Sequence, residues 1–184
     1  MKVIAVCGKK RSGKDTIAKY ISENYNYIPY SFAGPMKIVA EILFGWTQEE
    51  IEKNKEVIDP LFGISPRQFL IDFGTNYMQY DLGSRYPLFK EINNRQFWVK
   101  STVNKIKKEG KNAIISDMRF QHEYDYLKEN ISDVLFIKVN RSVERNYERF
   151  DLTETDIDSI PSDIIINNNT DLYDLFKKVD SIME

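Results

Sequence analysis

Gly8-Lys9-Lys10-Arg11-Ser12-Gly13-Lys14 sets two glycines five residues apart and follows the second directly with a lysine. The run comes straight after the aliphatic stretch Val3-Ile4-Ala5-Val6-Cys7 and before Ile17, Ala18 and Ile21, whose spacing is that of a helix face. A strand, a glycine-bearing loop and a helix in that order make a phosphate-binding cradle. Gly8 and Gly13 let successive backbone N–H groups, including those of Lys10 and Ser12, turn into one concavity. The helix adds its positive N-terminal end. Lys14 is a point charge for the β- and γ-phosphates of a nucleotide. Where Ser or Thr usually follows that lysine to hold Mg2+, this chain has Asp15, and Thr16 is displaced by one position. Either Asp15 takes over the metal, directly or through water, or Thr16 does so from a shifted geometry.

Phosphoryl transfer needs cations beyond the loop, because donor and acceptor are both anions. Arg11 lies inside the loop and can swing over the β–γ bridge as an internal arginine finger, or point into solvent. Arg67, Arg95 and Arg119 are further candidates. Arg141, Arg145 and Arg149 stand at i, i+4 and i+8, a row on one helix face. With the polar stretch 151–156 behind them they suit a closing lid, and equally a solvated face paired with Glu144 and Glu148. Asp117 ends a short aliphatic run, so in a parallel sheet it emerges at the carboxyl edge beside the loop. There it can hold Mg2+ or its water, orient the attacking oxygen, or simply cap the next helix. Arg119, two residues on, is within reach of an acceptor phosphate.

The elements that must carry these groups are legible as alternating short apolar runs and amphipathic segments, the pattern of a parallel sheet between helices. Strands are expected at Lys2–Cys7, Ile28–Phe32, Asn112–Ser116, Val134–Val139 and Asp163–Ile166, giving a three-layer α/β fold around five parallel strands. Thr47-Gln48-Glu49-Glu50 and Ser65-Pro66-Arg67-Gln68 read as capping boxes. Phe69, Leu70, Phe73 and Tyr77 form a stripe expected to pack on the sheet. A further helix carries Phe97, Trp98, Val103 and Ile106 inward and stops near Gly110, and the last begins near Asp171.

The 184 residues predict one domain, and 42% hydrophobic with 29% charged residues is an ordinary globular composition. A net charge of -2 provides no basic field for nucleic acid, which is not expected as a partner. Neither a signal peptide nor a membrane-length apolar run is expected. A single cysteine, Cys7, fits a reducing cytoplasm, and a single histidine, His122, disfavours two-histidine metal sites and serine–histidine triads.

Lys9–Thr16, Ala33-Gly34-Pro35-Met36-Lys37, Arg67 with Gly74-Thr75, Asn94–Lys100, Ser116–Glu123 and Leu152-Thr153-Glu154 together resemble the phage-type deoxynucleoside monophosphate kinases. The resemblance implies a P-loop kinase domain over 1–184, nucleoside monophosphate kinase-like, with an acceptor-binding region at about 33–100 and a lid at about 141–156. It implies ATP as donor, Mg2+, small-molecule substrates, and a cytoplasmic enzyme (of the host, if viral) for which a homodimer is admissible. In it Gly8, Lys10, Ser12, Gly13, Lys14, Asp15 and Thr16 bind the donor, with Asp15, Thr16 and Asp117 near the metal. Lys14, Arg11, Asp117, Arg141 and Arg145 serve the transfer. Lys37, Arg67, Arg95, Trp98, Arg119 and Glu154 look like acceptor ligands, with Phe32, Tyr77 and Trp98 available to stack on a base or simply to pack. Animal-type phosphomevalonate kinases share the Gly-Lys-Asp, Gly-Pro-x-Lys and Ser-Asp-x-Arg pieces and are the second reading. A nucleotide-dependent switch is the third, but the guanine-reading Asn-Lys-x-Asp is missing, Asn54-Lys55-Glu56-Val57 failing at its last position.

Overall fold

The computed structural model describes residues 1–89, 95–142 and 157–184. The chain divides into two compact units, one formed by Met1–Ser31 with Thr102–Glu184, the other by Phe32–Ser101.

The first unit is built on five parallel strands: β1 (Val3–Gly8), β2 (Ile28–Tyr30), β3 (Ala113–Met118), β4 (Val134–Asn140) and β5 (Ile164–Asn167). Their spatial order is β2-β3-β1-β4-β5. All six residues of β1 are buried, as expected of a central strand covered on both faces. Alternation sorts its side chains. Ile4 and Val6 join Ile114, Ile137, Val139 and Ile166 in a core with α1 (Lys14–Tyr25) and the C-terminal helix. On the opposite face Phe136 meets Tyr124 of α7 (Gln121–Asn130), ring centroids 4.2 Å apart. The C-terminal helix, here α8 (Leu172–Met183), starts on an Asp171 cap whose carboxylate accepts from the Asp174 N–H at 2.9 Å. It is clamped to α1 where Asp180 Oδ1 accepts from both Tyr20 and Tyr25 hydroxyls, at 2.8 and 2.6 Å.

The second unit is helical: α2 (Gly34–Phe44), α3 (Gln48–Lys53), α4 (Pro66–Ile71) and α5 (Leu82–Arg85), followed by the start of α6 (Phe97–Glu109), which runs on into the first unit. The Thr47 cap is reciprocal, since Thr47 Oγ1 accepts from the Glu50 N–H and Glu50 Oε2 from the Thr47 N–H. Ser65 caps α4, with Pro66 in its first turn. Two expectations are corrected here. The stripe of Phe69, Leu70 and Phe73, expected on the sheet, packs with Ala40, Trp46 and Ile51 of its own helical unit. The α-helix that carries it also ends at Ile71 and continues as a π-helix over Asp72–Asp81, a form rare at this length. No described helix is long and apolar enough to cross a membrane.

Candidate active site

Two neighbouring strands deliver the chemistry. β1 ends at Gly8 and opens into the loop, and β3, its hydrogen-bonded neighbour, ends at Met118. Ala5 pairs with Ile115 but Cys7 with Met118, so Ser116 and Asp117 together stand opposite Val6. An extra residue of this kind locally re-aims a strand and recurs beside active sites. Asp117 Oδ2 accepts a hydrogen bond from the Ser31 hydroxyl at 2.8 Å. Beyond buried Met118, Arg119 is exposed.

The loop between Gly8 and Lys14 is shaped by backbone that most residues avoid. Gly8 has φ 158° and Gly13 φ 101°. A Cβ on Gly8 would stand 2.6 Å from both Ser12 Oγ and the Val139 carbonyl, and one on Gly13 would strike the Asn168 amide. Only glycine fits either place. Arg11 adopts φ 65° without that freedom, at a cost on the order of 1 kcal/mol. The turn closes with the Ser12 N–H on the Lys9 carbonyl at 3.0 Å, and the Ser12 carbonyl accepts from Asn168 Nδ2 at 2.8 Å. Lys14 is buried at 6% exposure in the first turn of α1, and Asp15 and Thr16 beside it are exposed. Ser12 is 2% exposed, and its Oγ is a buried polar atom with no hydrogen-bond partner. Lys9 pairs with Asp158 at 2.6 Å, and Lys10 is exposed.

A cleft of about 510 Å³ opens beside this loop, lined by Gly13, Thr16, Arg141, Asn168, Thr170 and Tyr173 among others. That volume is within the range of small-molecule sites. Arg141 reaches it from the residue after β4. Arg145, Arg149 and Glu154 lie outside the described residues, as does the rest of 143–156.

The second unit holds the remaining candidates. Lys37, on α2, is ion-paired with Glu52, which Lys55 also meets at 2.5 Å. Burial works to raise the Glu52 pKa, but hydrogen bonds from the two lysines hold it below the ordinary glutamate value. Arg67, on α4, is ion-paired with Glu56. Arg95 has φ 65°. Trp98 is buried, and its indole N–H donates to the Gly74 carbonyl at 2.7 Å. The Met36 thioether packs directly on Gly74, so a Cβ there would have to push that side chain aside.

Three supports escape a reading from residue types. Ser31 holds Asp117 across 86 residues, and Asn168 holds the loop across 156. Glu123, buried in α7, accepts from the N–H groups of Arg119 and Phe120. Asn168 sits in the run Asn167-Asn168-Asn169, which by residue type is a turn after the last strand. Glu123 closes the Ser116–Glu123 motif, but nothing in it marks the residue as buried, and Ser31 carries no signal of its own.

The donor set at the loop is all oxygen: Asp15, Thr16 and Asp117. Among the described residues no group of three or more His, Cys, Asp or Glu gathers as a metal cluster. Mg2+ needs none, since it keeps waters and substrate phosphates and takes only one or two protein ligands. The residues present therefore fit that ion.

A family model described as deoxynucleotide monophosphate kinase matches residues 2–64 and 82–179. Arg67 and Gly74-Thr75 fall in the gap between the two matched stretches. A protein of Acanthamoeba polyphaga mimivirus, provisionally named a deoxynucleotide monophosphate kinase, is 31% identical over 100% of this chain and 97% of its own. The deoxynucleotide monophosphate kinase of Escherichia phage RB69 is 24% identical over an alignment 248 positions long, covering all of both chains. Among solved structures, shikimate kinase from Aquifex aeolicus superposes with a TM-score of 0.53 at 14% identity, covering 97% of this chain and 94% of that one. A sugar kinase from a Janibacter species gives 0.52 at 14%, covering 98% and 93%. These two show the fold alone, that of the P-loop kinases.

Proposed function

The chain belongs to the deoxynucleotide monophosphate kinase family, and from that membership we propose that it transfers the γ-phosphoryl group of ATP to deoxynucleoside 5′-monophosphates. The observation that carries this reading is the pairing of a buried Lys14 in a glycine-shaped anion cradle with Asp117-Met118-Arg119 on the adjoining strand end. One strand end grips the donor's phosphates, and the next offers a carboxylate and a guanidinium to a second anion.

The loop amides and Lys14 hold the β- and γ-phosphates, and Arg11 steadies the bridge between them. An oxygen of the acceptor's phosphate attacks the γ-phosphorus in line as the bond to the β–γ bridging oxygen breaks, and ADP leaves without a covalent enzyme intermediate. In this reading Arg119, Arg67 and Arg95 bind the acceptor's phosphate, Lys37 lines the acceptor pocket and Trp98 is available to its base, with Glu154, outside the described residues, as a further acceptor ligand. The acceptor region, about 33–100, is nearly coextensive with the second unit, which supports that division of labour. Arg141 and Arg145 belong to a lid at about 141–156 that keeps water from the transferring group. The cleft beside Gly13, with Tyr173 exposed at its wall, suits the donor's nucleoside. Asp15 or Thr16, with Asp117, would hold Mg2+, which when bound neutralises charge on the phosphate oxygens. Small molecules in the cytoplasm, of the host if the source is viral, complete the reading, with neither nucleic acid nor membrane required and a homodimer admissible.

The test is ADP formation from ATP with each of the four common deoxynucleoside monophosphates, and with phosphomevalonate as a fifth acceptor. Slow hydrolysis alone and rapid ADP release with at least one deoxynucleotide are expected. Lys14→Ala should lose about 100-fold or more of that turnover while keeping its circular dichroism spectrum. Arg119→Ala should chiefly weaken acceptor use. Acceptor-independent hydrolysis would overturn the kinase reading, and turnover with phosphomevalonate alone would move it to the second family.

A further inference from the structure

Glu123 is buried at 8% exposure, and glutamate is seldom buried so far unless its oxygens are matched. Its Oε2 accepts from the backbone N–H of Arg119 at 2.7 Å and of Phe120 at 3.1 Å. The Phe120 bond is an ordinary helix-start bond, made from the third residue of α7 back to the residue before it. The Arg119 bond is not. It is the shorter of the two and ties down the residue preceding the cap, which the helix itself does not need held. Burial, with the Asp117 charge adding to it and the two N–H donors opposing, pushes the Glu123 carboxyl up to about 8. An exposed glutamate or glutamine would close the same turn without that desolvation.

The bond has a visible consequence on the other side. Asp117-Met118-Arg119 is fastened at three successive points: Asp117 by Ser31, Met118 by complete burial, and Arg119 by the Glu123 carboxyl. An exposed arginine carries considerable rotamer freedom, so fixing its backbone narrows the volume its guanidinium searches.

We infer that Glu123 is a positioning residue for acceptor binding: it pins the Arg119 backbone and so fixes the base from which that guanidinium meets the acceptor's phosphate. The inference rests on the reading of Arg119 as an acceptor ligand. Glu123 itself touches no substrate. It acts through one main-chain bond.

Two variants separate this role from plain stability. Glu123→Gln keeps an accepting oxygen, whereas Glu123→Met keeps much of the volume and none of the acceptor capacity. KM and kcat for the deoxynucleotide and for ATP are measured in both, together with hydrogen exchange of the Arg119 and Phe120 amides by NMR. Gln should stay within about threefold of the parent in acceptor KM and keep both amides protected. Met should raise acceptor KM about tenfold, leave the ATP KM within about twofold, and speed exchange at those amides. The inference is overturned if the Met variant exchanges faster yet binds acceptor as the parent does, or if its amides stay protected. A parent enzyme that uses no deoxynucleotide would instead defeat the functional reading, an outcome the parent assay alone reveals.

Discussion

The Glu123 carboxylate and the Ser12 carbonyl are each matched to a neighbour by single atoms, whereas Ser12 Oγ is not, and the match at Glu123 has a thermodynamic signature. Glu123 is the clearest instance, since its ordinary pKa is near 4.5 and the fold raises it to about 8. Between those values the folded chain keeps a proton that the unfolded chain has released. Stability present below about pH 4.5 is therefore lost progressively as pH rises toward 8. The slope is about 1.4 kcal/mol per pH unit across the window, so the total loss is on the order of a few kcal/mol. Glutamine cannot ionise and retains the accepting oxygen. Urea unfolding of the parent and of Glu123→Gln at pH 5 and pH 8 should show the variant gaining relative to the parent as pH rises. Parallel pH profiles would mean that the carboxyl titrates near its usual value. Gly8 and Gly13 belong to the same scale: what they contribute is the absence of a Cβ, and the glycine spacing announced that role before any coordinate did. The Arg119 amide and Glu123 could not be matched in that way, because nothing in a helix-start glutamate says how deeply it will be buried.

Elements were readable where a periodic pattern and a local stop signal agreed. β1 and the first halves of β3 and β4 are almost purely apolar, and that pattern argues for a parallel sheet under helices. The Thr47 and Ser65 caps and the stop at Gly110, which has φ 66°, follow from residues within four positions of each other. Reading failed where the partner is distant or the period is ambiguous. Phe69, Phe73 and Tyr77 at four-residue steps fit an α-helical stripe, yet the rings stack at 5.2 and 6.2 Å across a junction into π-helix. The β5–α8 connection looked like a turn and is a brace. Asn168 donates from Nδ2 to the Ser12 carbonyl, and its own N–H goes to the Asn140 carbonyl at 2.7 Å, so one residue ties the loop to the end of β4. Asn168→Ala leaves a buried carbonyl unsatisfied, a cost of about 1–3 kcal/mol. The expected outcome is a lower melting temperature with the ATP KM raised several-fold and the acceptor KM much less changed. An ATP KM that holds steady despite the lost stability would show that the loop keeps its shape without the brace.

At the scale of the whole molecule the electrostatics run against the proposed substrates. Both carry several negative charges, and the chain's own net charge is -2. Long-range attraction therefore cannot gather them, and short-range cations must. Two of those cations are already engaged, Lys37 with Glu52 and Arg67 with Glu56. If Arg67 binds the acceptor as proposed, an arriving phosphate has to displace the Glu56 carboxylate, a trade between one anion and another in a half-exposed setting. Exchanges of that kind are worth only about 0.2–1 kcal/mol, because water screens both states. Removing the competitor should tip the trade. Glu56→Gln is expected to lower the acceptor KM by roughly 1.5- to 5-fold, the same energy expressed as a ratio, with kcat and the ATP KM unchanged. Raising the salt concentration should weaken acceptor binding in the parent and narrow its difference from the variant, since the Debye length is about 10 Å at 0.1 M and shorter above it. Steady-state kinetics of the two enzymes at low and high salt decide the matter. If Glu56→Gln leaves acceptor KM where it was at every salt concentration, Arg67 does not bind the acceptor's phosphate, and the burden falls on Arg119 and Arg95.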